Sequence, residues 1–186
     1  MNTANKLTML RVVLIPVYLI LWHIDAPWSI YAALAVFVIA SLTDLLDGYI
    51  ARHYNQVTDF GKFMDPLADK VLVLTAMACF CSVGRFPDWA LVIVIAREFA
   101  VSGLRLVAVD NGRVIAAGWS GKVKTASTMV CLCLMHLLEQ RPEGLYSAPD
   151  YFKYLDWVCV AVIAATTLYS GIEYFVLNRD VLNWNK

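Results

Sequence analysis

Charge is what this sequence has least of. Only 16% of its 186 residues are Asp, Glu, Lys or Arg, and fifteen basic residues cancel fifteen acidic ones. Without a basic excess there is no bulk attraction to nucleic acid, and without an acidic one there is no acidic disordered tail. Histidine is rarer still. His23, His53 and His136 stand isolated, so none is read as a metal ligand. A disulfide framework is also missing, because the five cysteines are odd in number and all sit inside apolar runs. The two Cys-x-Cys pairs, Cys79 with Cys81 and Cys131 with Cys133, would point their thiols to nearly opposite faces of a helix. They are read, with Cys159, as small apolar fillers. No small-x-small cleavage site follows the first apolar stretch, despite its basic start at Lys6 and Arg11, so that stretch is read as a retained helix.

What is abundant is apolar surface. Hydrophobic residues make up 60% of the chain and the mean hydropathy is +0.63, beyond the half-apolar composition of a soluble globule. Six stretches approach the roughly 20 residues that a helix needs to cross about 30 Å of hydrocarbon. They are Leu7 to Ile24, Ala26 to Thr43, Pro66 to Gly84, Trp89 to Val109, Val123 to Leu138 and Trp157 to Leu177. A soluble all-helical core is the alternative, but six such runs in one short chain argue for an all-α, polytopic membrane protein forming a single domain over residues 1–186. The basic residues set the orientation. With a cytoplasmic amino terminus, Lys6, Arg11, Arg52, Lys62, Arg105, Arg113, Lys122, Lys124, Arg179 and Lys186 fall inside, and only Arg85, Arg141 and Lys153 outside. Both termini are therefore expected in the cytoplasm. Trp22, Trp28, Trp89, Tyr151, Tyr154 and Trp157 cluster at the outer connections, where amphipathic rings prefer to lie.

The chemistry is expected between the second and third spans. In Ser41-Leu-Thr-Asp-Leu-Leu-Asp-Gly-Tyr-Ile-Ala-Arg52, residues Asp44, Asp47, Gly48, Ala51 and Arg52 follow helical spacing and form one stripe that alternates carboxylate with missing bulk. Gly61, Asp65 and Asp69, with Ala68 beside them, form a second stripe, and Pro66 suits a first helical turn. Four carboxylates at a membrane edge repel one another and are costly unless compensated. Salt bridges to Arg52, Lys62 and Lys70, or simple solvation, would account for any one of them. All four on two faces, with small residues between, are the hard oxygen ligands that Mg²⁺ or Mn²⁺ requires, phosphate oxygens and water completing the shell.

The pattern Asp44-x2-Asp47-Gly48-x2-Ala51-Arg52-x8-Gly61-x3-Asp65-x3-Asp69 resembles, at every defined position, the signature of the CDP-alcohol phosphatidyltransferases. That resemblance extends over essentially the whole chain, and six transmembrane helices with a cytoplasmic site are what it implies. It also implies transfer of a phosphatidyl or similar group from a CDP-linked donor to an alcohol, with release of CMP. Two divalent ions, Mg or Mn, would be bound by Asp44, Asp47, Asp65 and Asp69, with Asp69 as the general base. Gly48, Ala51 and Gly61 would let the nucleotide approach the backbone, and Arg52 would offer a fork of donors to phosphate. Asn5-x2-Thr8-x2-Arg11 resembles the opening of these enzymes and would add Asn5 and Thr8 to the donor site. The alternative for Arg11 is snorkelling to headgroups.

The acceptor side rests on cations. Arg105 and Lys122 lie at the expected cytoplasmic edge, where they suit an anionic acceptor, while Arg97 beside Glu98 divides evenly between helix packing and function. The run Arg97-Glu-Phe-x4-Leu-Arg105, followed after the fourth span by Gly121-Lys-x-Lys-Thr125, resembles family members from bacteria whose acceptor is sn-glycerol 3-phosphate. On that resemblance the substrates are CDP-diacylglycerol and sn-glycerol 3-phosphate. Arg97, Arg105, Lys122 and Lys124 would bind the acceptor's phosphate, and the protein would be a homodimer in the bacterial inner membrane among its lipids. Serine or inositol phosphate as acceptor, and a metal transporter, are the alternatives; transport would want carboxylates along a route across the bilayer rather than at one edge.

Overall fold

The structure, a computed structural model, describes residues 3–53, 59–116, 118–138 and 150–181; the side chains of residues 3–7, 44–53, 59–63, 65, 66 and 150–152 lie outside that description. The described residues form six α-helices and no strand: α1 (Thr3–His23), α2 (Ser29–His53), α3 (Asp59–Ser82), α4 (Asp88–Asp110), α5 (Trp119–Leu137) and α6 (Asp150–Leu177), followed by a 3-10 turn at Arg179–Val181. Every expected apolar stretch is a helix. At 19 to 28 residues each, they run roughly 28–42 Å. Two boundaries differ from the sequence-based expectation: α3 begins at Asp59, so Pro66 lies inside the helix rather than in its first turn, and α5 begins at Trp119, so Gly121 and Lys122 are already helical ahead of Val123.

Each helix buries one stripe at 3.6-residue spacing. Thr8, Arg11, Ile15, Tyr18 and Trp22 are inside on α1, and Ile30, Ala33, Phe37 and Ala40 on α2. α1 packs on α2 and α3, α5 on α6 and α2, and α4 on α6 and α3. The opposite faces are apolar too. Ile20, Ile39, Val92, Phe99, Leu106 and Ile172 are each more than half exposed, whereas Arg11, His136 and Lys124 are buried. Polar groups inside and large apolar groups outside invert the usual soluble pattern. Among the described residues, Lys153–Leu177 is the one helical stretch both long and apolar enough to cross a membrane by itself; Thr8–His23 and Ser29–Thr43 are apolar but shorter. In α4 the apolar run is broken by Arg97, Glu98 and Arg105, and in α5 by Lys122 and Lys124.

Long-range contacts fix which ends meet. At one end His136 sits in a box of Tyr18, Trp22, Phe37 and Phe80, with ring centroids 4.8–5.8 Å from its own. Its Nδ1 lies 2.7 Å from the Leu132 carbonyl, which can only accept, so the proton is on Nδ1 in the neutral ring. Nε2 then accepts from the Tyr18 hydroxyl at 2.9 Å. This is a satisfied core histidine, as its isolation in the sequence suggested. Beside it Arg85 makes a two-pronged bond to Asp156 at 2.6 and 2.7 Å, donates to the Met135 carbonyl at 2.9 Å and lies over the Phe80 ring. At the other end Arg113, after α4, pairs with Asp180, after α6, and holds that carboxyl below its usual range by hydrogen bonding. The ends of α1, α3 and α5 thus share one pole with the start of α6, and the ends of α4 and α6 share the other. The five cysteines are free thiols.

Two substitutions test the first pole. Tyr18→Phe leaves His136 Nε2 without its donor and should cost about 1–3 kcal/mol. Asp156→Ala takes the carboxylate away from the Arg85 guanidinium in a largely buried place and should cost about 3–5 kcal/mol. Thermal unfolding in detergent micelles reads both; an Asp156→Ala protein as stable as wild type would remove the ion pair from the list of structural supports.

Candidate active site

The second polar cluster is built from residues on four helices. The buried stripe of α4, Ala90, Val94, Val101, Leu104 and Ala108, passes through position 97, so Arg97 occupies a core position and must be compensated there. Its Nη1 donates to Glu98 Oε1 at 3.0 Å, and its Nη2 donates to Ser170 on α6. The same Glu98 oxygen accepts from Lys124 Nζ on α5 at 2.6 Å, and Lys124 is only 4% exposed. On α3, Lys70 donates to the hydroxyl of Ser102, which in turn donates to the Glu98 backbone carbonyl at 2.7 Å. One carboxylate therefore faces two cations directly and a third through its own backbone.

Small residues make room for Arg97. A Cβ built at Gly171 on α6 would lie 3.2 Å from Arg97 Cγ, and one at Gly121 on α5 would lie 3.6 Å from Nη2. The guanidinium passes between these two positions.

Asp69 joins this cluster. A cavity of about 40 Å³ is lined by Asp69, Lys70, Glu98, Lys124, Thr125 and Thr128, closed on its apolar side by residues such as Val94 and Met129. That volume admits a few water molecules. One carboxylate oxygen of Asp69 is out of contact with solvent. Thr128, 2% exposed, has a buried hydroxyl that makes no hydrogen bond among the described residues. Lys70, Arg97 and Lys124 against Glu98 leave two formal positive charges, and Asp69 reduces the excess to one. Such a cavity offers donors to an anion next to a carboxylate able to take a proton.

The expected site residues are only partly brought into view. Asp44, Asp47, Gly48, Ala51 and Arg52 lie on the last turns of α2, Gly61, Asp65 and Asp69 on the first half of α3, and these helices pack together. The side chains of Asn5, Asp44, Asp47, Ala51, Arg52 and Asp65, and the surroundings of Gly48 and Gly61, are outside the described residues. Thr8 and Arg11 are fully buried on α1, so Arg11 turns into the bundle and does not snorkel outward. Of the four cations expected at the acceptor, Lys124 lines the cavity with Asp69 and Arg97 braces it through Glu98. Arg105 is exposed, with Nε donating to the Tyr174 hydroxyl at 3.1 Å and the guanidinium over that ring, and Lys122 is exposed on the first turns of α5. Sequence reasoning treated Lys70 only as a counter-ion and did not single out Ser102, Thr128 or Ser170. No local spacing marks them, since each matters through a partner on another helix. Among the described residues no group of three His, Cys, Asp or Glu side chains converges.

The glycine passage gives a paired test. Alanine ordinarily stabilises a helix over glycine by about 1 kcal/mol. Gly121→Ala should keep that gain, because its Cβ meets only the far end of Arg97 at ordinary contact distance. Gly171→Ala should lose it, pressing on Arg97 Cγ, and should melt below Gly121→Ala; equal or higher melting for Gly171→Ala would show that Arg97 is not confined there.

The family model described as CDP-alcohol phosphatidyltransferase matches residues 1–169. A protein of Bacillus subtilis (strain 168) named CDP-diacylglycerol--glycerol-3-phosphate 3-phosphatidyltransferase is 39% identical over 193 residues, covering 97% of this chain and 97% of its own. Proteins of the same name from Escherichia coli (strain K12) and Shigella flexneri are 35% identical over 189 residues, covering 98% of each chain. With the family model matching residues 1–169 and relatives 35–39% identical over 97–98% of this chain, the chain belongs to the CDP-alcohol phosphatidyltransferase family.

Proposed function

We propose that this protein transfers the phosphatidyl group of CDP-diacylglycerol to sn-glycerol 3-phosphate, giving phosphatidylglycerophosphate and CMP. The observation that carries this reading is the cavity in which Asp69 meets Lys70 and Lys124: a proton acceptor stands beside donors for a second, anionic substrate. Near full-length similarity to relatives bearing that enzyme name supports the same acceptor. Serine has no phosphate for these cations to hold.

The acceptor hydroxyl attacks the phosphorus of the donor's phosphatidyl group, the bond to CMP breaks, and the hydroxyl proton passes to Asp69. Lys124, held by one of its three N–H bonds to Glu98, keeps two for the acceptor phosphate, and Lys70 and Arg105 add charge near it. Arg52, with Gly48, Ala51 and Gly61, would receive the nucleotide, with Asn5 and Thr8 on the facing helix. The donor set suits a divalent metal, since four carboxylates on two packed helices are hard oxygen ligands. Two Mg²⁺ or Mn²⁺ ions held by Asp44, Asp47, Asp65 and Asp69 would screen the pyrophosphate and stabilise the charge on departing CMP.

In this reading residues 1–186 form one domain whose six helices span the bacterial cytoplasmic membrane, with both termini and the aspartates on the cytoplasmic side, as a homodimer in contact with lipid. The outward apolar faces, the alternation of helix ends and the ten-to-three distribution of basic residues support it.

CMP release by purified protein should require CDP-diacylglycerol, sn-glycerol 3-phosphate and divalent metal together. Serine or inositol phosphate working better as acceptor would reassign the substrate, and metal uptake by sealed vesicles without CMP release would make the protein a transporter. Asp69→Asn should lower kcat by about 10²–10⁴-fold, the usual contribution of a positioned base; substantial turnover would sink that role. Arg105→Ala or Lys122→Ala should raise the Michaelis constant of the acceptor more than that of the donor, and an unchanged acceptor constant in both would exclude them.

A further inference from the structure

We propose that Glu98 is a positioning residue for the acceptor: by hydrogen-bonding Lys124 and Arg97 at once, it holds their charges at the cavity that Asp69 shares. This rests on the reading of Lys124 as an acceptor-phosphate ligand.

Three observations carry it. First, Glu98 accepts from two cations on different helices, Arg97 at 3.0 Å and Lys124 at 2.6 Å, both through Oε1. A lysine is a point charge on a flexible four-carbon stem, and nothing in its own chain directs the ammonium. The short bond to Glu98 does so. Second, the constraint extends behind Glu98. Arg97 is locked by Ser170 and by the passage between Gly121 and Gly171, so the carboxylate is itself held in place. The Glu98 backbone carbonyl anchors Ser102, which receives Lys70, so the third cation takes its place from the same residue.

Third, the cluster is not closed on itself. Lys70, Arg97 and Lys124 exceed Glu98 and Asp69 by one formal charge, Arg97 Nε and the Thr128 hydroxyl are buried without hydrogen bonds among the described residues, and Thr128 lines the cavity. A group that served stability alone would be expected to satisfy its neighbours and balance their charge. The remaining positive charge and the spare donors suit a doubly charged phosphate. Glu98 lowers the excess enough for the cations to stay buried together and leaves enough of it to attract the anion.

The test uses the full-length protein in micelles, with CMP release titrated separately in sn-glycerol 3-phosphate and in CDP-diacylglycerol. Glu98→Gln keeps the size and removes the charge. It should raise the acceptor's KM about tenfold, the scale of a lost charge-assisted hydrogen bond, a larger change than in kcat or in the donor's KM. Glu98→Asp should recover part of the loss. Lys124→Met alone should also raise the acceptor's KM. The double variant, Glu98→Gln with Lys124→Met, removes one buried charge of each sign, so it should regain melting temperature without regaining acceptor affinity. A wild-type acceptor KM in Glu98→Gln, while Lys124→Met raises it, overturns the role of Glu98 and leaves the acceptor reading standing. An unchanged acceptor KM in Lys124→Met overturns that reading and the inference with it. If Glu98→Gln does not fold, Glu98→Asp decides: its shorter side chain draws the carboxylate away from Lys124, so a raised acceptor KM supports the proposal and a wild-type acceptor KM overturns it.

Discussion

Glu98 stands between Arg97 and Lys124 in the interior of an apolar bundle, and the register of three helices follows from their need to meet. A guanidinium and an ammonium at core positions of α4 and α5 are tolerable only where a carboxylate reaches both. α6 completes the arrangement with Ser170 as an acceptor and Gly171 as clearance. Apolar side chains of similar volume would pack such a place at no greater cost, and often at a lower one. The cluster shares its cavity with Asp69, on the half of α3 that also carries Asp65.

The two polar clusters of the bundle, one at the His136 pole and one around Glu98, solve opposite problems. Around His136, four aromatic rings, one hydroxyl, two carbonyl acceptors and the Asp156 carboxylate engage the imidazole and the nearby Arg85. Around Glu98, donors outnumber acceptors. Fixing one cluster by packing lets the other keep a cavity and uncompensated charge without loosening the helices that carry them. The outward faces of both are apolar, so neither cluster competes with the surroundings for its polar partners.

Much of this was legible beforehand because it is periodic. Six apolar stretches became six helices, and the aspartate stripes fell on α2 and α3, which pack together, because spacing along a helix sets the face a residue shares. The family signature is of the same kind, a set of intervals along two helices. Other features depend on rotation about a helix axis and were not legible. Arg11 has the position of a snorkelling residue yet is wholly buried, because the stripe it shares with Thr8, Ile15 and Tyr18 is the one facing α2 and α3. Lys122 and Lys124 are two residues apart and look equivalent in the sequence. On a helix they differ by about 200°, and only Lys124 turns inward to Glu98.

The sequence by itself determined the class of the protein, the helices and the aspartate pattern, since hydrophobic run length and residue spacing are local properties. Only the tertiary structure decided which charges meet. Glu98 with Lys124, Lys70 with Ser102 and Arg97 with Ser170 are separated by 26, 32 and 73 residues. Pairing across helices is settled by how their faces are turned against one another, and no interval along the chain encodes that.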